Sequence, residues 1–291
     1  MKKIKHRIAL LALAACAAMP VAMAEQAQQD GIQVRPLSGW RNLADAQQFD
    51  QQALQQYSQL LGQAKEKGAL MPDSHPEVQR LHAIAKRLIP FAARWNPDAA
   101  KWRWQVNLLN SPQVNAFCMP GGRIAFFSGI LTTLKLTDDE VAVVMGHEIA
   151  HALREHSREQ AAKSNTTSAV TRVLGAGLSA YFGVDPRLGD IGSSLLTKGL
   201  SLKFSRDDER EADLVGLDLA SRAGYDPRAG IVLWQKMGAL NKSAPPAFLS
   251  THPAGGERIA EMNKVMGQVL PVYARTRGMT VAALPAYQTN R

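Results

Sequence analysis

The sequence holds only two cysteines in 291 residues, Cys16 and Cys118. A disulfide-stapled scaffold is therefore excluded. If the first 24 residues are removed, Cys118 has no partner left in the chain even in an oxidising compartment. It reads as a small buried hydrophobe, because no separate histidine constellation accompanies it as a nucleophile would require. Aromatic residues make up only 6% of the chain, and no Lys/Arg run interleaved with them marks a nucleic-acid surface. No apolar stretch beyond residue 24 can form a bilayer span, which needs roughly 20 residues. No internal repeat is present.

What is there begins as an export leader. Lys2, Lys3, Lys5 and Arg7 precede an apolar run that Pro20 breaks, and Ala22-Met23-Ala24 offers an A-x-A cleavage site. A lipobox reading of Leu13-Ala14-Ala15-Cys16 competes, leaving a lipoprotein anchored through Cys16. It is the less favoured of the two, since Ala17 and the apolar residues after it make a poor polar tether. Removing residues 1–24 takes away four of 34 basic side chains and none of 25 acidic ones, so the formal charge falls from +9 to +5. A basic exterior of this size fits a solvated surface, with weak peripheral membrane attraction as the alternative.

The organisation expected from composition is a leader over 1–24, a flexible Gln-rich tether over 25–39, one domain over 40–270 and a tail over 271–291. Helical patterning covers 43–67. Ser74-His75-Pro76-Glu77 opens a second helix, with Ser74 as cap, that runs to about residue 95. Residues 102–109, 116–119 and 123–127 are strand-like, with Pro120-Gly121-Gly122 as a turn. Nearly everything later is helical. Residues 165–203, rich in Gly, Ser and Ala, suggest a helical hairpin over the cleft.

His147-Glu148-Ile149-Ala150-His151 carries the chemistry. One helical turn separates the histidines, so they lie about 40° apart on one face with Glu148 beside them. Two neutral imidazoles at this spacing can hold one Zn²⁺, and the carboxylate can take a proton from an attacking water. Thr137-Asp138-Asp139-Glu140 has the form of a capping box, with acids at the positive end of the helix dipole. Val141, Val144, Met145, Ala152 and Leu153 make the helix interior, while Arg154, Glu155, Arg158 and Glu159 are expected to surface.

Two histidines leave a catalytic zinc site incomplete. The metzincin extension would need Gly at 154 and His at 157, and Arg154 and Ser157 exclude it. A second helix opening at Ser205 puts Glu209, Asp213, Gly216 and Ala220 on one face, and its small residues permit close approach of another helix. An ordinary acidic helix start accounts for the same residues equally well.

The segments Gly146-His147-Glu148-Ile149-Ala150-His151 and Glu209-x-x-Ala212-Asp213-x-x-Gly216 resemble the HtpX and CAAX prenyl protease family of zinc peptidases. More narrowly, the chain resembles soluble periplasmic members of the BepA and LoiP kind. Asn115-Ala116-Phe117 with Gly122-Arg123-Ile124, and Ser250-Thr251-His252-Pro253 with Arg258, agree. The resemblance implies an α+β, mostly α, gluzincin-type zincin domain with a small sheet before the His-Glu-x-x-His helix, and one Zn²⁺ per chain. It implies His147, His151 and Glu209 as metal ligands and Glu148 as general base. Asp213 becomes an auxiliary proton donor or an orienter of a ligand histidine, and the second role is physically preferred. His252 becomes a regulatory plug or oxyanion stabiliser, and Arg258 a neutraliser of charge near Glu209. Asn115, Ala116 and Phe117 would offer an edge strand to an extended substrate.

The expected function is a periplasmic zinc endopeptidase degrading misfolded or unassembled envelope proteins. A periplasmic chaperone or assembly factor with latent protease activity is the alternative. No tetratricopeptide array follows residue 265, so partner recruitment through such repeats is not expected.

Overall fold

A computed structural model of the chain describes residues 30–163, 204–240, 247–253 and 256–290. The leader, Cys16 and the hairpin expected over 165–203 lie outside the described residues.

Spacing and caps explain the first two helices. After a 3-10 turn at Gly39–Leu43, α1 (Ala46–Glu66) starts at Asp45, whose carboxylate accepts from the Gln48 N–H at 2.7 Å. It buries Phe49, Ala53, Tyr57, Leu60 and Ala64, one stripe at helical period. Helix α2 (Pro76–Leu88) is capped by His75 rather than by the expected Ser74. The imidazole Nδ1 accepts from the Glu77 N–H at 3.2 Å, and Pro76 takes the first helical position. The α-helix stops at Leu88 and continues as a 3-10 turn over Ile89–Arg94, since Pro90 has no N–H to offer.

The sheet has three short strands, β1 (Gln105–Leu109), β2 (Ala116–Met119) and β3 (Arg123–Phe127), in the order β1-β3-β2. The β2–β3 hairpin turns through Gly121 and Gly122, both left-handed, at φ +78° and +81°. Strand β3 pairs antiparallel with β2 but parallel with β1, so it is central and wholly buried, leaving β2 at an edge. Its side chains alternate between two cores. Ala125 and Phe127 meet the buried stripe of α1, whereas Ile124 and Phe126 join the main core with α2.

The later helices complete the main core. They are α3 (Ser128–Thr133), α4 (Asp138–Leu153), α5 (His156–Lys163), α6 (Arg206–Arg222), α7 (Ala229–Ala239), α8 (Ala247–Thr251) and α9 (Gly256–Thr276). Helices α4 and α6 meet at a pair of glycines. A Cβ on Gly216 would stand 2.7 Å from the His147 nitrogen, and one on Gly146 would stand 2.8 Å from the Gly216 carbonyl. Glycine at both positions is what lets the two backbones touch, and the functional cluster forms where they do. Among the described residues no helix is long and apolar enough to cross a membrane.

Both ends of the described chain pack down. Residues 30–35, expected as part of a flexible tether, lie against α6 instead. Ile32 is 1% exposed, and Arg35 pairs with Glu211 at 2.9 Å and with Asp208 at 3.3 Å. At the other end, α9 runs through the expected boundary at 271. It carries Pro271 inside, because Val269, Val272 and Ala274 are buried and offset the lost hydrogen bond. The last residues return to the start of α4, where the Tyr287 hydroxyl lies 2.9 Å from Thr137 Oγ1.

Candidate metal centre

Helix α4 sits deep because every residue from Glu140 to Leu153 is buried, not one stripe alone. Its start is fixed by the capping box: Glu140 N–H donates to Thr137 Oγ1 at 3.3 Å, and Thr137 N–H donates to Glu140 Oε2 at 2.9 Å. His147, Glu148 and His151 are each 3% exposed. Helix α6 also opens with a capping box, Ser205 with Asp208, which places Glu209 in its first turn against the positive end of the dipole.

These elements bring four ligating groups together. One atom each of His147, His151, Glu209 and His252 lies within 4.8 Å of all the others. The two Nε2 atoms of His147 and His151 are 3.1 Å apart. His252 Nδ1 is 3.2 Å from His147 Nε2 and 2.9 Å from Glu209 Oε1. Three imidazoles and a carboxylate are donors of the kind Zn²⁺ takes. Glu148 Oε1 and His252 Nε2 are buried beside the cluster without a hydrogen-bond partner. Buried polar atoms of this kind require a partner, and a cation among them would supply it. The residues fit the metal.

A second layer of contacts holds the first. His147 Nδ1 lies 3.0 Å from Asp213 Oδ1, and Arg258 grips Asp213 through Nε at 2.7 Å and Nη2 at 2.5 Å. Arg258 Nη1 also lies 2.7 Å from Glu209 Oε2, and its guanidinium stacks 3.5 Å over the Trp234 ring. His252 closes the other side, stacked on Phe248 with ring centres 4.6 Å apart.

Burial sets the protonation of the group. It pushes both ring pKa values down, well below the ordinary range for His151, although Asp213 partly opposes this at His147. Both imidazoles are neutral near pH 7, as ligands must be. Burial also pushes Glu148 up to about 7, against the pull of His252. For Asp213, burial works upward, but Arg258 and His147 outweigh it and hold the carboxyl below its usual value. His252 and His147 do the same for Glu209.

Asn115, Ala116 and Phe117 precede or open β2, which packs against α4 and is the sheet's edge. Phe127 N–H donates to Asn115 O at 3.1 Å, so in the antiparallel alternation Phe117 faces β3 while Ala116 and Cys118 face outward. The Cys118 N–H meets the Glu148 carboxylate, and the Ala116 N–H donates to Asn115 Oδ1 at 3.0 Å. Phe117 is a core residue, edge-on to Tyr57. Asn115, Ala116 and Phe117 are all buried, so the stretch expected as an open edge is covered, and in β2 it is Cys118 that reaches the surface. Two clefts flank the cluster. One of about 340 Å³ is lined by His151, Cys118 and Trp102, and one of about 640 Å³ by Glu209, Arg258 and Phe204.

Residues that the sequence did not single out also reach the centre, notably Trp234, Phe248 and His156. His156 arrives because α4 ends at Leu153 and Glu155 takes a left-handed conformation, φ +56°, which turns the chain back. Arg154 and Glu159, expected at the surface, are buried at 6% and 4% exposure by that reversal.

Comparison with known proteins agrees with this geometry. The profile of peptidase family M48 matches residues 75–266. Mitochondrial metalloendopeptidase OMA1 of Arabidopsis thaliana is 42% identical over 173 residues, 58% of this chain and 33% of that protein. The OMA1 protein of Schizosaccharomyces pombe is 34% identical over 199 residues, 67% of this chain and 55% of its own. The beta-barrel assembly-enhancing protease of Escherichia coli K12 is 28% identical over 179 residues, 58% of this chain and 36% of its own. The expected kinship with the BepA kind thus holds in part, since OMA1 proteins match at higher identity. The chain spans from about a third to just over half the length of these relatives.

Proposed function

Because the chain belongs to peptidase family M48, we propose that it is a zinc-dependent endopeptidase acting on misfolded or unassembled envelope proteins in the periplasm. The observation that carries the reading is the buried convergence of His147, His151, Glu209 and His252 beside Glu148. The leader-like residues 1–24 support the compartment, and the similarity to a beta-barrel assembly-enhancing protease supports the substrate class.

His147, His151 and Glu209 would hold Zn²⁺, which when bound supplies Lewis acidity to the scissile carbonyl and the attacking water. Glu148 takes the proton from that water and returns it to the leaving amine. A carboxyl poised at about 7 suits both steps near neutral pH. Asp213 orients His147 by accepting its Nδ1–H, and the two-point grip of Arg258 keeps it ionised, which argues against a proton-donor role. Arg258 also balances the charge of Glu209. An extended substrate would lie between the two clefts at the Cys118 end of β2, the part of the strand that reaches the surface.

One observation favours the alternative of a chaperone or assembly factor with latent activity. His252 stands among the ligand atoms, where a water or a carbonyl oxygen would need to enter. In this reading His252 is the plug, and it withdraws when substrate arrives. Cleavage of a chemically unfolded envelope protein by wild type and Glu148→Gln tests the proposal. Loss of cleavage in the variant is expected, and equal cleavage by both proteins overturns the peptidase reading.

A further inference from the structure

His147 and His151 are supported differently. The outer nitrogen of His147 meets a carboxylate, Asp213, at 3.0 Å. The outer nitrogen of His151 meets another histidine: its Nδ1 lies 2.9 Å from Nδ1 of His156, which is 1% exposed. The other ring nitrogen of His156, Nε2, lies 3.4 Å from Glu211 Oε2. Glu211 is fixed in turn by Arg154 Nε at 2.7 Å and Arg35 Nε at 2.9 Å. Arg154 Nη2 donates to the Arg35 carbonyl at 2.6 Å, closing the network. Arg35 lies outside the stretch that matches the family profile, residues 75–266.

The hydrogen inventory of this row admits one arrangement that serves the metal. An ionised carboxylate only accepts, so His156 carries its proton on Nε2, facing Glu211. A neutral imidazole has one N–H, and His156 Nδ1 is therefore a bare acceptor. His151 then carries its proton on Nδ1 and donates it to His156. Its Nε2, 3.1 Å from His147 Nε2, keeps a free lone pair inside the ligand cluster.

We infer that His156, held by Glu211, Arg154 and Arg35, is a positioning residue that fixes the ring orientation and tautomer of the metal-ligating His151. The inference rests on the proposed metal centre. It assigns His156 no contact with substrate.

Zinc retention against a chromophoric chelator tests this in the full-length protein, with melting of the metal-free forms measured alongside. His156→Leu removes the acceptor and is expected to weaken zinc binding about 10- to 100-fold, the usual effect of losing an outer partner. His156→Asn places a carboxamide oxygen near the Nδ1 position and is expected to recover most of the affinity. A merely structural role would not separate these two variants at equal metal-free melting. If His156→Leu does not fold, Glu211→Gln decides, since a carboxamide both donates and accepts and so removes the tautomer bias; several-fold weaker zinc binding is expected. Unchanged retention in His156→Leu, equal loss in the Leu and Asn variants, or unchanged retention in Glu211→Gln overturns the inference while leaving the metal centre intact. Absence of zinc from the wild type overturns both.

Discussion

Replacing Glu148 with glutamine is expected to stabilise the metal-free protein while removing the proposed base. Glu148 is 3% exposed, and burial is the largest influence on its carboxyl. Its folded pKa is about 7, against an ordinary value of 4.5. A carboxyl raised in this way favours folding only while protonated. The stability is fully present below the unfolded value, falls as pH rises through the interval, and is lost above about 7. The interval corresponds to about 3 kcal/mol at pH 8. Glutamine has nothing to ionise and escapes that cost. His252 Nε2, 3.5 Å away, loses a favourable neighbour in the exchange. The net gain is then about 2 kcal/mol at pH 8 and close to zero at pH 5. Urea unfolding of wild type and Glu148→Gln in the presence of a chelator, at both pH values, measures this directly. No gain at pH 8, or a gain that does not change with pH, would mean that Glu148 is not held protonated by burial. A gain of this kind marks a functional group kept at a stability cost.

Two other variants probe how the centre is held. Gly216→Ala introduces a Cβ 2.7 Å from the His147 nitrogen. It is expected to push α6 from α4, cost about 1–3 kcal/mol in chemical denaturation and lower zinc content; wild-type stability contradicts the close-packing account. Asp213→Asn keeps the shape but weakens the acceptor for His147 and removes the charge facing Arg258. Zinc affinity is expected to fall about 10- to 100-fold by chelator competition, and an unchanged affinity argues against the orienting role.

Periodic features of the site were legible in the sequence. The pair Thr137 and Glu140 announces the start of α4, and helical period alone puts His147, Glu148 and His151 on one face. The same period aligns Glu209, Asp213 and Gly216, though only as one of two equal readings until the resemblance favoured the ligand role. What escaped depends on chain reversals and long-range docking. Nothing at Glu155 signals a left-handed residue, since glycine is absent there, so His156 and the burial of Arg154 were invisible. The parallel pairing of β1 with β3 depends on the path around β2, which strand patterning does not specify. Ile32 and Arg35 look like tether residues until Asp218 and Glu211, far along the chain, supply their partners. The same holds for Pro271, a usual helix breaker that buried neighbours keep inside α9.

One metal ion held by His147, His151 and Glu209 is the premise on which Glu148, Asp213 and His156 have their roles. Elemental analysis of the purified wild type and of His147→Ala tests it most directly. Close to one zinc per chain is expected in the wild type and essentially none in the variant. Undiminished zinc in His147→Ala would contradict the proposed ligation.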